Sequence, residues 1–165
     1  MKVLICFASI ILLLSLASGQ HSKSKSLQTE IRAVAPPAIT YWQLYASADG
    51  ETHFKKVIVT LTQTQAAPPA PPYAESVPQT ASTIRFAAFP ANWGVSDRDH
   101  NIFHNASGRR FISVLHGVAW IKASDGETRQ FQAGDILEVL DIAPAKGHIT
   151  WVGDQRYIVL FSDHP

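Results

Sequence analysis

Arg109-Arg-Phe-Ile-Ser-Val-Leu-His116, Gly117, Val118-Ala-Trp-Ile-Lys122, Ser124-Asp-Gly126, Thr128-Arg-Gln-Phe-Gln132, Ala133-Gly-Asp135 and Ile136-Leu-Glu-Val-Leu140 follow one another and decide the fold. Each run is short, rich in β-branched and aromatic residues, and stopped by a turn containing glycine, which is the signature of strands and not of helices. The same pattern continues outward. Ile149 to Val152 and Tyr157 to Phe161 read as the last strands. Upstream, Ile84 to Phe89 reads as a strand ended by Pro90, and Asn92 to Asp99 as an irregular loop. Further back, Ile39 to Tyr45, the turn Asp49-Gly50, and Phe54 to Thr62 read as a hairpin in which Val57, Val59 and Leu61 alternate with Thr60 and Thr62. Between them, Ala66 to Tyr73 and Pro78 form a Pro-rich passage that lacks the donors of a central strand and is expected to cross the surface. About ten short strands with no helical period imply an all-β fold, an antiparallel sandwich or barrel. Apolar doublets such as Phe111-Ile112 and Val114-Leu115 suggest strands covered on both faces.

The chain outside this region has a different character. Met1-Lys2, the uncharged apolar run Val3 to Leu16, and the small residues Ala17-Ser-Gly19 read as a secretory signal peptide over residues 1–19. The run falls short of the roughly 20 residues that a spanning helix needs. Residues 20–38 read as a polar tail, and 39–165 as a single domain. The protein is therefore expected outside the cell, or in the periplasm if bacterial, with no membrane partner once the leader is gone. Cleavage removes Lys2 and Cys6, and with them the one cysteine of the whole chain. That excludes thiolate zinc sites and disulfides within the mature protein. Lys and Arg number 14 against 13 Asp and Glu, too even a balance to recommend nucleic acid as a partner.

The C-terminal half resembles the cupin superfamily, whose small single-domain members are jelly-roll β-barrels. The likeness rests on Gly117 closing the strand Arg109 to His116, on Ser124-Asp-Gly-Glu127, on Phe131-Gln-Ala-Gly134-Asp135, and on Lys146-Gly-His148. It spans about residues 84–163, and Asp49 to Phe54 with the Pro-rich passage looks like the leading hairpin and loop of the same family, an N-terminal extension of the barrel. The resemblance implies a mononuclear metal site inside the barrel, typically of three His and one carboxylate. His104 takes the first His position and His148 the His of the second motif. The second His position holds Ala106, and the Glu position holds Arg110, whose guanidinium is never a ligand. His116 is a weak candidate for a third imidazole, since strict alternation would put it on the face of Arg110. His100 and His53 are further histidines near the barrel mouth. A divalent transition ion such as zinc, iron, manganese, nickel or copper would suit imidazole, and the ligand set does not choose between them.

Arg110 permits another reading: an inward guanidinium beside two imidazoles clamps a carboxylate or sulfate without any metal, unless it pairs with an Asp or Glu at the rim. The four Trp residues read as core or rim packing, with Trp93 placed in its loop to stack on a ligand. Asn105-Ala-Ser107 is a glycosylation sequon, whose glycan would point outward from a loop. Three function classes follow. The first is a protein that binds a small molecule in the barrel mouth around a degenerate His104/His148 site. The second is a metal-dependent enzyme of oxygenase, isomerase or decarboxylase class, which needs His104, His148 and a third ligand. The third is a structural or interaction module. A homodimer joined through edge strands is what the resemblance implies.

Overall fold

Residues 37–165 are described by the structure, a computed structural model, so the leader read at 1–19 and all but the end of the tail read at 20–38 lie outside the described residues. The described chain is mostly β. It runs β1 (Ala38–Ala46), β2 (Thr52–Thr60), β3 (Thr62–Thr64), β4 (Tyr73–Glu75), β5 (Thr83–Phe89), α1 (Val95–His100), β6 (Arg110–His116), β7 (Val118–Ala123), β8 (Thr128–Gln132), β9 (Ile136–Val139), β10 (His148–Val152) and β11 (Tyr157–Asp163). Six strands form one sheet in the order β2-β1-β9-β6-β11-β5, three form a second in the order β10-β7-β8, and β3 pairs with β4. No ladder joins the two larger sheets into a closed barrel among the described residues.

The core lies where alternation sends the apolar side chains of both sheets. Along β7, Ala119, Ile121 and Ala123 are buried while Val118, Trp120 and Lys122 alternate with them. They pack in one cluster with Phe131 of β8 and Val152 of β10 and with Leu44, Val114, Leu137, Val139 and Val159 of the large sheet. Each fully buried Leu, Ile, Val or Phe among them contributes about 1.5–3 kcal/mol.

Four features depart from the sequence reading. The large sheet is mixed, because β1 runs parallel to β9, with Trp42 opposite Leu137 and Leu44 opposite Val139. Alternation of side chains is the same for either direction, so hydrophobic pattern alone does not distinguish the two. The expected hairpin is present, with Leu44 opposite Phe54 in the antiparallel β1–β2 register. Its partner on the other side is what the pattern left open. In place of the loop at 92–99, α1 forms a helix of six residues, entered from Gly94 in the left-handed region (φ 74°), too short for a hydrophobic period to show. The Pro-rich passage is bracketed by a small ribbon in which Thr64 faces Tyr73. Finally, Leu115 is 48% exposed and not covered on both faces. Ile158 faces His116 while Val159 faces Val114, so Leu115 is the extra residue of a β-bulge, which interrupts the alternation of β6.

Candidate functional site

The site is built on the entry to β10. Gly147 has φ 82°, and a Cβ there would overlap the carbonyl of His104. Glycine therefore lets the two chains approach closely enough for His104 and His148 to exchange two backbone hydrogen bonds of 2.9 Å each. The bridge brings the two imidazole rings to 4.6 Å between centroids, inclined at 58°. His148 is 7% exposed, and its Nδ1 lies 2.6 Å from Oδ2 of Asp141, which is fully buried. With Nδ1 so engaged, Nε2 is the open ring nitrogen. Burial, and then the neighbouring His148, lower the pKa of His104 below that of a free imidazole.

Arg110 opens β6 with its side chain 11% exposed. Its NH2 donates to Ser107 Oγ (2.8 Å) and its Nε to the Gly108 carbonyl (3.2 Å). The same Nε is 3.2 Å from Oδ1 of Asp163, whose Oδ2 is 3.2 Å from Arg85 NH1. Two guanidiniums thus share one carboxylate, and both lie over the ring of Phe161, Arg110 at 5.0 Å and Arg85 at 5.4 Å from the centroid. Rim pairing and an inward guanidinium, alternatives in the sequence, are combined in this structure.

His104, His148 and Arg110 line one cavity of about 260 Å³, whose other walls include Phe89, Trp93, Ile112, Ile121, Tyr157 and Phe161. Trp93 stands there as its loop position suggested, with its ring 4.8 Å from that of Phe89. Its carbonyl accepts from Val152 N at 2.9 Å, which fastens the loop to β10. Burial raises the pKa of Tyr157, so its hydroxyl stays neutral in the wall.

His116 is exposed and outside this wall, which corrects its placement as a third imidazole. The Leu115 bulge breaks the alternation on which that placement relied. His53 and His100 are engaged elsewhere, His53 Nδ1 with Asp125 at 2.7 Å and His100 Nδ1 with the Ser96 carbonyl at 2.8 Å. No group of three or more His, Cys, Asp or Glu positioned for a metal occurs among the described residues. Two imidazoles beside a guanidinium, with Asp141 bonded to Nδ1 of His148, do not fit a centre of three His and one carboxylate. Asn105 is also corrected. Its Nδ2 donates inward to the carbonyls of Asp141 (3.1 Å) and Ala145 (2.7 Å), so a glycan on that nitrogen would replace at least one of these bonds and would not project freely outward.

Asp141 is the residue that sequence reasoning missed. Its sequence context, Ile136-Leu-Glu-Val-Leu-Asp-Ile142, holds a second acid at Glu138 and does not single it out.

No protein-family model matches the chain, and no curated protein matches it. A solved structure to which it is similar is that of a candidate ethanolamine utilization protein Q (EutQ) from Salmonella typhimurium LT2. The two are 16% identical, the match covers 78% of this chain and 98% of that one, and the TM-score is 0.29. At that TM-score the likeness carries no argument about function or about the finer architecture.

Proposed function

We propose that the chain is a secreted, single-domain protein of cupin-like jelly-roll architecture that binds a small organic anion between its sheets. Arg110 anchors the charge, and the aromatic wall holds the body of the ligand. The observation that carries this reading is the convergence of Arg110, His104 and His148 on one apolar cavity. Arg85 and Arg110 share Asp163, so the cluster keeps one positive charge for a ligand carboxylate or sulfate. A largely apolar cavity with a few convergent polar groups is the usual form of a small-molecule site.

Thermal unfolding in the presence of small aromatic carboxylates such as benzoate tests it. A ligand at a hundred times its Kd stabilises the protein by about 2.7 kcal/mol, which is read as a rise in Tm. Arg110→Ala is expected to abolish that rise. Absence of any rise in the unsubstituted protein across the carboxylates and sulfonates tried overturns the reading.

A second reading, a metal-dependent enzyme using His104 and His148 with a third ligand, is favoured by one contact. The carboxylate of Asp141 on Nδ1 of His148 is the arrangement that fixes a ligating imidazole in its tautomer. Elemental analysis of the purified protein decides it: stoichiometric divalent metal lost in His148→Ala supports the enzyme, and a folded, metal-free protein removes it. With neither metal nor ligand response, the domain is a structural or interaction module. Pairing of two copies belongs to the same proposal, because β5 is an edge strand that exposes Ile84 and Phe86.

A further inference from the structure

The outer face of the three-stranded sheet carries a second recess, unrelated to the cavity of Arg110. Trp120 on β7 and Trp151 on β10 are directly opposed across the ladder, and their rings lie nearly parallel, 6.2 Å apart at 10°. The guanidinium of Arg98 lies 5.8 Å from the Trp151 ring centroid, so Trp120 is backed by a stack and not by solvent. Beside it, a recess of about 380 Å³ is lined by Val118, Trp120, Gln130, Gly153, Asp154 and Gln155.

Two properties of this recess point to a ligand. Gln130, Asp154 and Gln155 are exposed and their side chains make no hydrogen bond or ion pair among the described residues, so two amides and a carboxylate beside one indole can exchange water for the hydroxyls of a ligand. Gly153, in turn, is not demanded by its backbone, since its φ is not positive. Nor is it demanded by crowding, because a Cβ there would sit in ordinary contact, 3.4 Å from Cζ3 and 3.7 Å from Cη2 of Trp120. A side chain at 153 would cover the ring, and glycine leaves it open.

We propose that this recess binds a neutral hexopyranose unit of a polysaccharide. The C–H face of the sugar lies on the indole of Trp120, and its hydroxyls donate to Asp154 and exchange hydrogen bonds with Gln130 and Gln155. An indole supplies the flat apolar contact, and the amides match hydroxyls as both donors and acceptors. Apolar ligands would leave these polar groups unpaired, and an anionic one would meet Asp154.

The test is native affinity electrophoresis of the purified protein through gels containing hydroxyethylcellulose, β-glucan or galactomannan. Retardation is expected in at least one gel. Gly153→Val, which covers the ring, and the exposed pair Gln130→Ala with Gln155→Ala are each expected to weaken association at least tenfold. Arg110→Ala should leave it unchanged, so this site and the carboxylate site stand or fall separately. Circular dichroism checks that each variant folds, and Trp120→Phe, which keeps an aromatic face, is expected to retain partial binding. No retardation in any gel, or retardation that survives both the valine and the double alanine substitutions in folded protein, overturns the proposal.

Discussion

Oδ2 of Asp141 meets Nδ1 of His148 at 2.6 Å, while its Oδ1 is buried without a hydrogen-bond partner. A carboxylate so placed is desolvated and relies on one imidazole nitrogen, so removing either partner leaves a buried polar group unmatched. Asp141→Asn keeps the shape and removes the charge. We expect it to lower the unfolding free energy by about 1.5–3 kcal/mol, the worth of a hydrogen bond to a charged group, in urea denaturation monitored by tryptophan fluorescence. An unchanged midpoint would show that the contact contributes nothing to folding. At this scale the chain was half legible. His104, His148, Arg110 and Trp93 stand out by motif position or loop context, and all four line the cavity. Asp141 and Asp163 do not stand out, because their roles come from partners brought beside them by folding, His148 across the loop before β10 and Arg110 across the β11–β6 ladder, and an isolated Asp carries no trace of that. His116 shows the reverse error, in which a parity rule applied along β6 misses the single extra residue Leu115.

Among elements, turn glycines differ in what they do, and the difference is measurable. Gly147 and Gly126 both have positive φ, 82° and 94°. A Cβ at Gly126 would meet nothing within 4 Å, whereas one at Gly147 would overlap the backbone of His104. Gly126→Ala is therefore expected to cost only the left-handed backbone penalty, about 1–2 kcal/mol. Gly147→Ala adds a clash between two backbones and should cost on the order of 3 kcal/mol or more, with loss of the His104–His148 bridge. Equal losses from the two substitutions in thermal or urea unfolding would contradict the close approach. The strands themselves were well marked: Thr128–Gln132 has the expected bounds, and β6, β7, β9, β10 and β11 differ from the reading only at their ends. Hydrophobic alternation and glycine turns are local signals, and they survive folding. The partner of β1 and the helix α1 were not marked. The first depends on a pairing across most of the chain, and the second on a left-handed entry at Gly94 and a packed loop, neither of which has a period.

For the whole molecule, the outer face of the large sheet joins its distant parts through one buried acid. Glu138 on β9 is 8% exposed. Its Oε2 accepts from Tyr41 OH at 3.0 Å and from Gln43 Nε2 at 2.7 Å, both on β1, and its Oε1 is 3.3 Å from Nε2 of His164 beyond β11. Burial, and then the charge of Glu138, raise the pKa of Tyr41 from 10.0 to about 12. In the unfolded chain the phenol gives up its proton near pH 10, while in the native protein it keeps it. Between these values the native state binds more protons, so the contribution of Tyr41 to stability is full below pH 10 and is lost as pH rises through about 12. Tyr41→Phe removes the titrating group and the hydrogen bond together. It should lower stability at neutral pH by about 1 kcal/mol, and the fall in Tm between pH 10 and 12 should become shallower than in the unsubstituted protein. Tyr157, raised by burial in the cavity wall, supplies part of the slope that remains. An alkaline fall in Tm that is the same with and without the Tyr41 hydroxyl would mean that β1 is not held to β9 through a protonated phenol.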